Sequence, residues 1–242
     1  MSTPASLEVQ NVSLRFQGLT ALSAVSFFVE PGESIGLMGP NGAGKSSLMS
    51  VIAGSQRPSG GSIFIDGKRI DGLGAARRAR LGLGRTFQIA QPFASMTVEE
   101  NVMVGAVGCG QSLSEARAHA PVYIERVGLT EKRVATASSL STGQRKRLEL
   151  ARALATSPRL LLLDEVMGGV DAPSVRGLVD LVASIRLTGV TLLIVEHNVR
   201  ALLALVDRLI FLNRGEIVVD GPARSVMADP RVADLYMGKD PC

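Results

Sequence analysis

Tryptophan is absent from this 242-residue chain, and tyrosine, histidine and cysteine occur only twice each. Without indoles and with few phenols there is little surface for base stacking, so nucleic acid is not an expected partner. The two cysteines, Cys109 and Cys242, have no metal-ligand spacing. They exclude a disulfide-stapled scaffold and fit a reducing compartment. Long apolar runs are also missing. Leu160 to Leu163 and Leu192 to Val195 are short, and Ala201 to Leu212 is interrupted by Asp207 and Arg208. None approaches the ~20 apolar residues that a membrane-crossing helix requires. Met1 to Gln10 has no basic stretch followed by an apolar run, so no signal peptide is expected. No internal repeat and no low-complexity segment is visible.

What is present is ordinary globular material, 46% apolar and 20% charged, which excludes disorder and collagen-like repeats. At ~150 residues per domain, the length suits one large domain or two small ones sharing a core. The formal charge is only +4 although the pI is near 9.4, and the mean hydropathy of +0.25 is high. Such an excess suits a basic face turned towards phosphates or lipid head groups.

Short alternating runs on either side of Gly18 predict an antiparallel hairpin with one buried face. After the Pro31-Gly32 turn, Ser34 to Met38 reads as a short apolar strand. Leu48, Val51 and Ile52 then stand at helical spacing and Gly54 ends that helix. Ser62 to Asp66 reads as a further strand. From about Phe87 to Ala155 the pattern is helical, over Val98 to Val107, Ser114 to Val127 and Gly143 to Ala155. Strands resume at Leu160 to Asp164, Thr191 to Val195 and Leu209 to Leu212, the first two separated by a helix stripe from Val175 to Ile185. That alternation predicts a parallel sheet with crossovers, hence an α/β fold. The expected organisation is a single domain over 1–242, with an N-terminal antiparallel β subdomain, an inserted helical subdomain at about 87–155 and a helical tail at about 222–242.

Gly39-Pro40-Asn41-Gly42-Ala43-Gly44-Lys45-Ser46 matches G-x-x-x-x-G-K-[ST], between a strand and a helix as that pattern requires. Its glycines let successive N–H groups, with those of Ser46 and Ser47 at the helix start, turn around phosphates. Lys45 would reach the β/γ oxygens and the Ser46 hydroxyl would bind Mg²⁺. Asp164 closes a continuously apolar strand, at the end where open α/β sheets bind ligands. It would hold the metal, and Glu165 could serve as general base towards a water.

Leu140-Ser141-Thr142-Gly143-Gln144 opens a helix, with Ser141 as N-cap. The segment resembles the LSGGQ signature of ATP-binding cassette (ABC) ATPases, and the other elements of that family follow in order. Phe16 stands where the family stacks an aromatic on adenine. Gln88, in Arg85-Thr86-Phe87-Gln88, resembles the Q-loop glutamine, a further metal contact. Asp171 resembles the D-loop aspartate, and His197 the switch histidine. The resemblance covers almost the whole chain and implies a P-loop ABC ATPase fold with ATP and Mg²⁺ as ligands. It also implies two chains sandwiching two ATP molecules. Lys45, Ser46, Gln88, Asp164, Glu165 and His197 would come from one side, and Ser141, Gly143, Gln144 and Asp171 from the other. The second chain is either a copy of this one or a related ATPase. Three departures stand out. Thr142 replaces a glycine of the signature, Val166 replaces a common proline and is expected to loosen the turn after Glu165, and Gly168-Gly169-Val170 replaces a stiffer segment. In a heterodimer they would make the two ATP sites unequal.

Gly84 to Gln88, Gln91-Pro92-Phe93, Met96 to Val102, Arg147 to Ala155 and Ala233 to Gly238 resemble the ATPase of branched-chain amino acid importers. That likeness implies integral-membrane permease subunits as partners, an external substrate-binding protein acting indirectly, and a peripheral place on the cytoplasmic face of the inner membrane. Lipopolysaccharide-export ATPases and soluble non-transport ABC ATPases are the alternatives. Phe93 and Met96 are either anchors for a permease helix or core residues. Basic residues cluster at Lys68, Arg69, Arg77, Arg78, Arg80 and Arg85, and later at Arg145, Lys146 and Arg147; the first group either faces anionic lipid or the permease, or is a solvated face. His119 reads as solvent-facing and Cys109 as structural.

Overall fold

A computed structural model describes residues 3–16, 18–86 and 92–236, and of Tyr236 its backbone alone. Gln88, with Phe87 and Gln91, lies outside the described residues, as do Met237 and Gly238. Along the chain, β1 (Leu7–Phe16) and β2 (Leu19–Val29) form the expected hairpin. They are followed by β3 (Ser34–Met38), α1 (Lys45–Ala53), β4 (Gly60–Ile65), β5 (Lys68–Arg69), α2 (Ala75–Arg80) and β6 (Leu83–Arg85). A helical stretch comprises α3 (Val98–Gly108), α4 (Leu113–Arg126) and α5 (Thr142–Ala155). Then come β7 (Leu160–Asp164), α6 (Ala172–Arg186), β8 (Thr191–Val195), α7 (Val199–Leu203), β9 (Arg208–Asn213) and β10 (Glu216–Pro222). The helical tail consists of α8 (Ala223–Met227) and α9 (Pro230–Tyr236). The two are separate because Pro230 has no N–H and steers the residue before it away from helix.

Among the described residues the strands make two sheets. One is antiparallel, in the order β2-β1-β4-β5. The other runs β10-β9-β3-β8-β7-β6 and is parallel except for β10 at its edge. Its central strands β3, β7 and β8 are buried at every position, which is why they read as unbroken apolar runs. Side chains leave such a strand on alternate faces, and two cores result. Ile35, Leu37, Leu160, Leu162, Leu193 and Val195 pack with α1 and the antiparallel sheet. Leu161, Leu163, Leu192 and Ile194 pack on the other face with α3, α5 and α6. The strands β5, β6 and β10 and the helices α2 and α7 carry no legible sequence period, being two to seven residues long or only half-buried. Among the described residues no helix is long and apolar enough to cross a membrane.

The basic run does not form one solvated face. Lys68, Arg69, Arg77 and Arg80 are exposed, but Arg78 and Lys146 are buried, and Arg85 is nearly so. Each buried cation is held by oxygens: Arg78 by four backbone carbonyls, Arg85 by Asp164, and Lys146 by the carbonyl of Glu165.

Candidate active site

Sheet register gathers the first group of candidate residues. Leu37 of β3 pairs with Val195 of β8, and Val195 pairs with Asp164 of β7. The segments leaving these strands, Gly39 to Gly44, Glu165, and Glu196-His197, therefore emerge side by side at the carboxyl edge, where open α/β sheets take ligands.

The loop after β3 needs its glycines. A Cβ on Gly39 would lie 2.0 Å from the Leu212 carbonyl oxygen, and one on Gly44 would lie 2.7 Å from that of Ala21. Gly44, in the left-handed region at φ 104, opens α1 without a side-chain cap. The first amides of that helix are therefore not satisfied by a capping side chain, an arrangement that receives phosphate. Pro40 is half-buried, Ala43 is buried, Asn41, Gly42 and Ser46 are exposed and Ser47 is half-buried. Lys45 is buried and its Nζ donates to the carbonyls of Gly39 and Pro40, at 2.7 and 3.0 Å. Burial lowers its pKa, while Glu165 and Asp164 pull it the other way.

Asp164 is buried; its Oδ2 accepts from Arg85 at 3.2 Å, and its Oδ1 has no hydrogen-bond partner among the described residues. Burial raises its pKa, and the hydrogen bond from Arg85 opposes that. A buried carboxylate oxygen left without a donor is costly unless something polar meets it. Asp164 and Ser46 line the same cleft of about 780 Å³, which extends past Arg85 to Phe93 and Arg152. A hydroxyl and a carboxylate are hard oxygen donors, and Mg²⁺ is ordinarily held by one or two such groups with substrate phosphates. The residues present fit that ion.

Glu165 adopts φ 50, rare for a residue with a side chain, and this turns its carboxylate out of the strand line. Its Oε1 lies 2.8 Å from Nε2 of His197. A carboxylate beside a phosphate loop, oriented by an imidazole, can take a proton from water.

The turn after Glu165 is pinned, contrary to the expectation from Val166 and Gly168. Val166 and Met167 are buried, Gly168 N–H donates to the Glu165 carbonyl at 3.1 Å, and Met167 N–H donates to Oε1 of Glu196 at 2.8 Å. Glu196 is buried, and desolvation raises its pKa from 4.5 to about 7; Glu165 pushes the same way, while the Met167 amide and Lys146 oppose. Because the folded value is the higher one, Glu196 favours folding below pH ~4.5, and this is lost as pH climbs through about 7. Glu196→Gln removes that titration. Its unfolding free energy is expected to exceed the parent's by on the order of 3 kcal/mol at pH 8, and by nothing at pH 4.5. Urea denaturation at both pH values measures it, and parallel profiles would contradict it.

The second group sits apart along the chain, on helix starts. Ser141 caps α5 in a reciprocal box with Gln144, each accepting from the other's backbone amide. Asp171 caps α6 and accepts from Ser174 Oγ at 2.6 Å. The two starts pack together, for a Cβ on Gly143 would lie 2.9 Å from that same Oγ. Thr142, in the first turn of α5, is exposed. Phe16 lies exposed at the end of β1, as a stacking platform must. Phe93 and Met96 are also exposed, and the Arg152 guanidinium sits 4.9 Å from the Phe93 ring centroid. Their loop is fixed by buried Asn101, which accepts from the Phe93 amide and donates to the Phe93 and Thr97 carbonyls. His119 is exposed, and Cys109 is half-buried.

Two residues of this region were not read from the sequence as part of the site. Glu196 was legible as an ionisable group directly following an apolar strand. Lys146 lies in the basic run Arg145 to Arg147, and nothing local in the sequence marks it as the cation that folds inward.

A family model described as ABC transporter matches residues 22–168. The chain is 34% identical over 255 aligned positions to the high-affinity branched-chain amino acid transport ATP-binding protein BraF of Pseudomonas aeruginosa, spanning 99% of this chain and all of that one. It is similar in structure to MJ1267, an ATP-binding cassette of an ABC transporter in its ADP conformation. There the TM-score is 0.87 at 30% identity, covering 99% of this chain and 100% of the other. It is also similar to MJ0796, a dimeric ATP-binding cassette in a post-hydrolysis state bound to ADP and Pi. That TM-score is 0.82 at 25% identity, covering 90% and 99% of the two chains.

Proposed function

The chain belongs to the ABC transporter family of ATP-hydrolysing subunits, and from that premise we propose that it powers a membrane importer of branched-chain or other hydrophobic amino acids, or of a related small amide such as urea. The observation that carries this reading is the likeness to BraF over essentially the full length of both chains. Selection of the cargo belongs to permease and binding-protein partners; this chain supplies the ATP chemistry.

In that reading the loop amides and Lys45 bind the β- and γ-phosphates of ATP, and Phe16 stacks on its base. Ser46 and Asp164 would hold Mg²⁺ with Gln88, and the bound ion would supply charge neutralisation at the phosphate oxygens. Glu165 takes a proton from a water aimed at the γ-phosphorus. A bond forms from that water oxygen to phosphorus, the bond to the bridging oxygen breaks, and ADP and phosphate leave. His197 keeps the Glu165 carboxylate in line. Ser141, Gly143, Gln144 and Asp171 meet the ATP of a second chain, so that nucleotide closes the dimer and hydrolysis opens it. Phe93 and Met96, in the loop braced by Asn101, offer the apolar and aromatic anchors that a permease helix would use. The subunit then sits peripherally on the cytoplasmic face of the inner membrane.

A tagged pull-down from detergent-solubilised native membranes, read by mass spectrometry, tests this. Two hydrophobic permease chains together with a second ATPase support the importer and indicate a heterodimer. Recovery of a lipopolysaccharide-export permease, or of ribosomes or nucleic acid without permease chains, moves the assignment to the alternatives.

A further inference from the structure

The left-handed backbone of Glu165, at φ 50, is strained for a residue with a side chain unless its surroundings hold it. Four hydrogen bonds do so. Its N–H donates to the Val195 carbonyl at 2.9 Å, and its own carbonyl accepts from the Gly168 amide. The Met167 amide, two residues on, is tied to Glu196. The fourth bond comes from another element: Lys146 Nζ of α5 donates to the Glu165 carbonyl at 3.0 Å. Lys146 is 4% exposed, and burying an ammonium is expensive unless it meets an acceptor there. Its charge is also felt by Asp164 and Glu196.

We infer that Lys146 is a positioning residue for ATP hydrolysis, joining the helix that begins at Ser141 to the backbone of this chain's own Glu165. The inference rests on the reading of Glu165 as the general base. Helix α5 begins with Ser141, Gly143 and Gln144, the residues directed at the other chain's nucleotide. A rotation or shift of α5 would be transmitted by the Lys146–Glu165 bond to the carboxylate that activates water. Occupancy of one ATP site would thereby set the alignment of the base in the other, through one helix and one hydrogen bond. Displacing a general base by about 1 Å is enough to cost ~10²-fold in rate.

The test compares the purified full-length parent with Lys146→Met, Lys146→Arg and Glu165→Gln, measuring kcat and KM for ATP hydrolysis and the affinity for a fluorescent ADP analogue. Lys146→Met is expected to lower kcat at least 10-fold, with KM and ADP affinity within 2-fold of the parent. Lys146→Arg, which can still donate to the carbonyl, should recover a third or more of the lost rate. Retained ADP affinity shows that the methionine variant is folded. If Glu165→Gln is inactive while Lys146→Met turns over at the parent rate, the positioning role falls and the base assignment stands. A methionine variant that loses ADP affinity and is not rescued by arginine also overturns it, in favour of a structural role. If Glu165→Gln keeps the parent rate, the base assignment falls and the inference falls with it.

Discussion

Replacing Glu165 with Gln is expected to lower kcat for ATP hydrolysis by about 10² to 10⁴, the range of a lost general base, while KM stays within a few-fold. The substitution keeps size and shape but removes the carboxylate proposed to receive the proton. The left-handed turn survives, because the bonds to Val195, Gly168 and Lys146 use the backbone of residue 165. The carboxamide oxygen can still accept from Nε2 of His197, where Oε1 now lies at 2.8 Å. Lys45 and the glycine loop, the proposed phosphate contacts, are untouched, so nucleotide affinity should persist. An interaction used only in the transition state shows itself as a fall in kcat and in kcat/KM together. Single-turnover hydrolysis, with nucleotide affinity measured in parallel, reads both quantities. A residual rate above a tenth of the parent's would remove Glu165 from the proton-transfer step. His197→Ala should cost less than Glu165→Gln, since it removes an orienting contact and leaves the base in place.

The sequence carries the central architecture because burial on both faces writes itself as an unbroken apolar run, as in Ile35-Gly36-Leu37-Met38 and Leu160 to Leu163. The phosphate loop is equally legible, since Gly39 and Gly44 stand where a Cβ would strike a neighbouring carbonyl. Ser141, with Gln144 three residues on, announces the start of α5 by the side-chain chemistry of its cap. Illegible are the features that depend on the far end of a charged side chain. Arg78 and Lys146 look like members of a solvated basic run, because nothing local says which cation folds inward. Their partners, backbone carbonyls of Val51, Ile52 and Glu165, are present in every sequence and leave no mark on it. The pinned turn after Glu165 was hidden for the same reason. Val166 and Gly168 suggest looseness locally, whereas the bond that fixes Met167 comes from Glu196, beyond the next strand.

Arg78→Met should therefore be among the most destabilising substitutions in the chain, lowering the unfolding free energy by about 3–5 kcal/mol. The Arg78 guanidinium is fully buried and donates to the carbonyls of Val51, Ile52, Leu73 and Asp71, at 2.6, 2.7, 2.8 and 3.2 Å. Two of these belong to the last turn of α1, where the helix dipole is negative and carbonyls lack the next turn's amides; that of Val51 has the Gly54 amide at 3.3 Å besides Arg78. Gly54, which ends the helix at φ 79, leaves the room required, for a Cβ there would lie 2.6 Å from Arg78 Nε. Burial lowers the pKa of Arg78 and Asp71 opposes this, but a guanidinium stays charged throughout. Methionine would fill part of the space and leave buried carbonyls without donors, each a desolvation cost of about 1–3 kcal/mol. Lysine should restore only part of the loss, since one ammonium offers three donors on a single atom where the fork reaches four oxygens. Urea denaturation of the three proteins at pH 7 measures the series; a loss below 1 kcal/mol for Arg78→Met would mean that these carbonyls find water instead. The two ends of α1 also divide the work of the site. Lys45 and Ser46, the proposed phosphate and metal contacts, open the helix, and Arg78 closes it from the opposite end. The folded fraction of Arg78→Met should accordingly bind ATP with a KM close to the parent's, its defect lying in how much of the chain is folded.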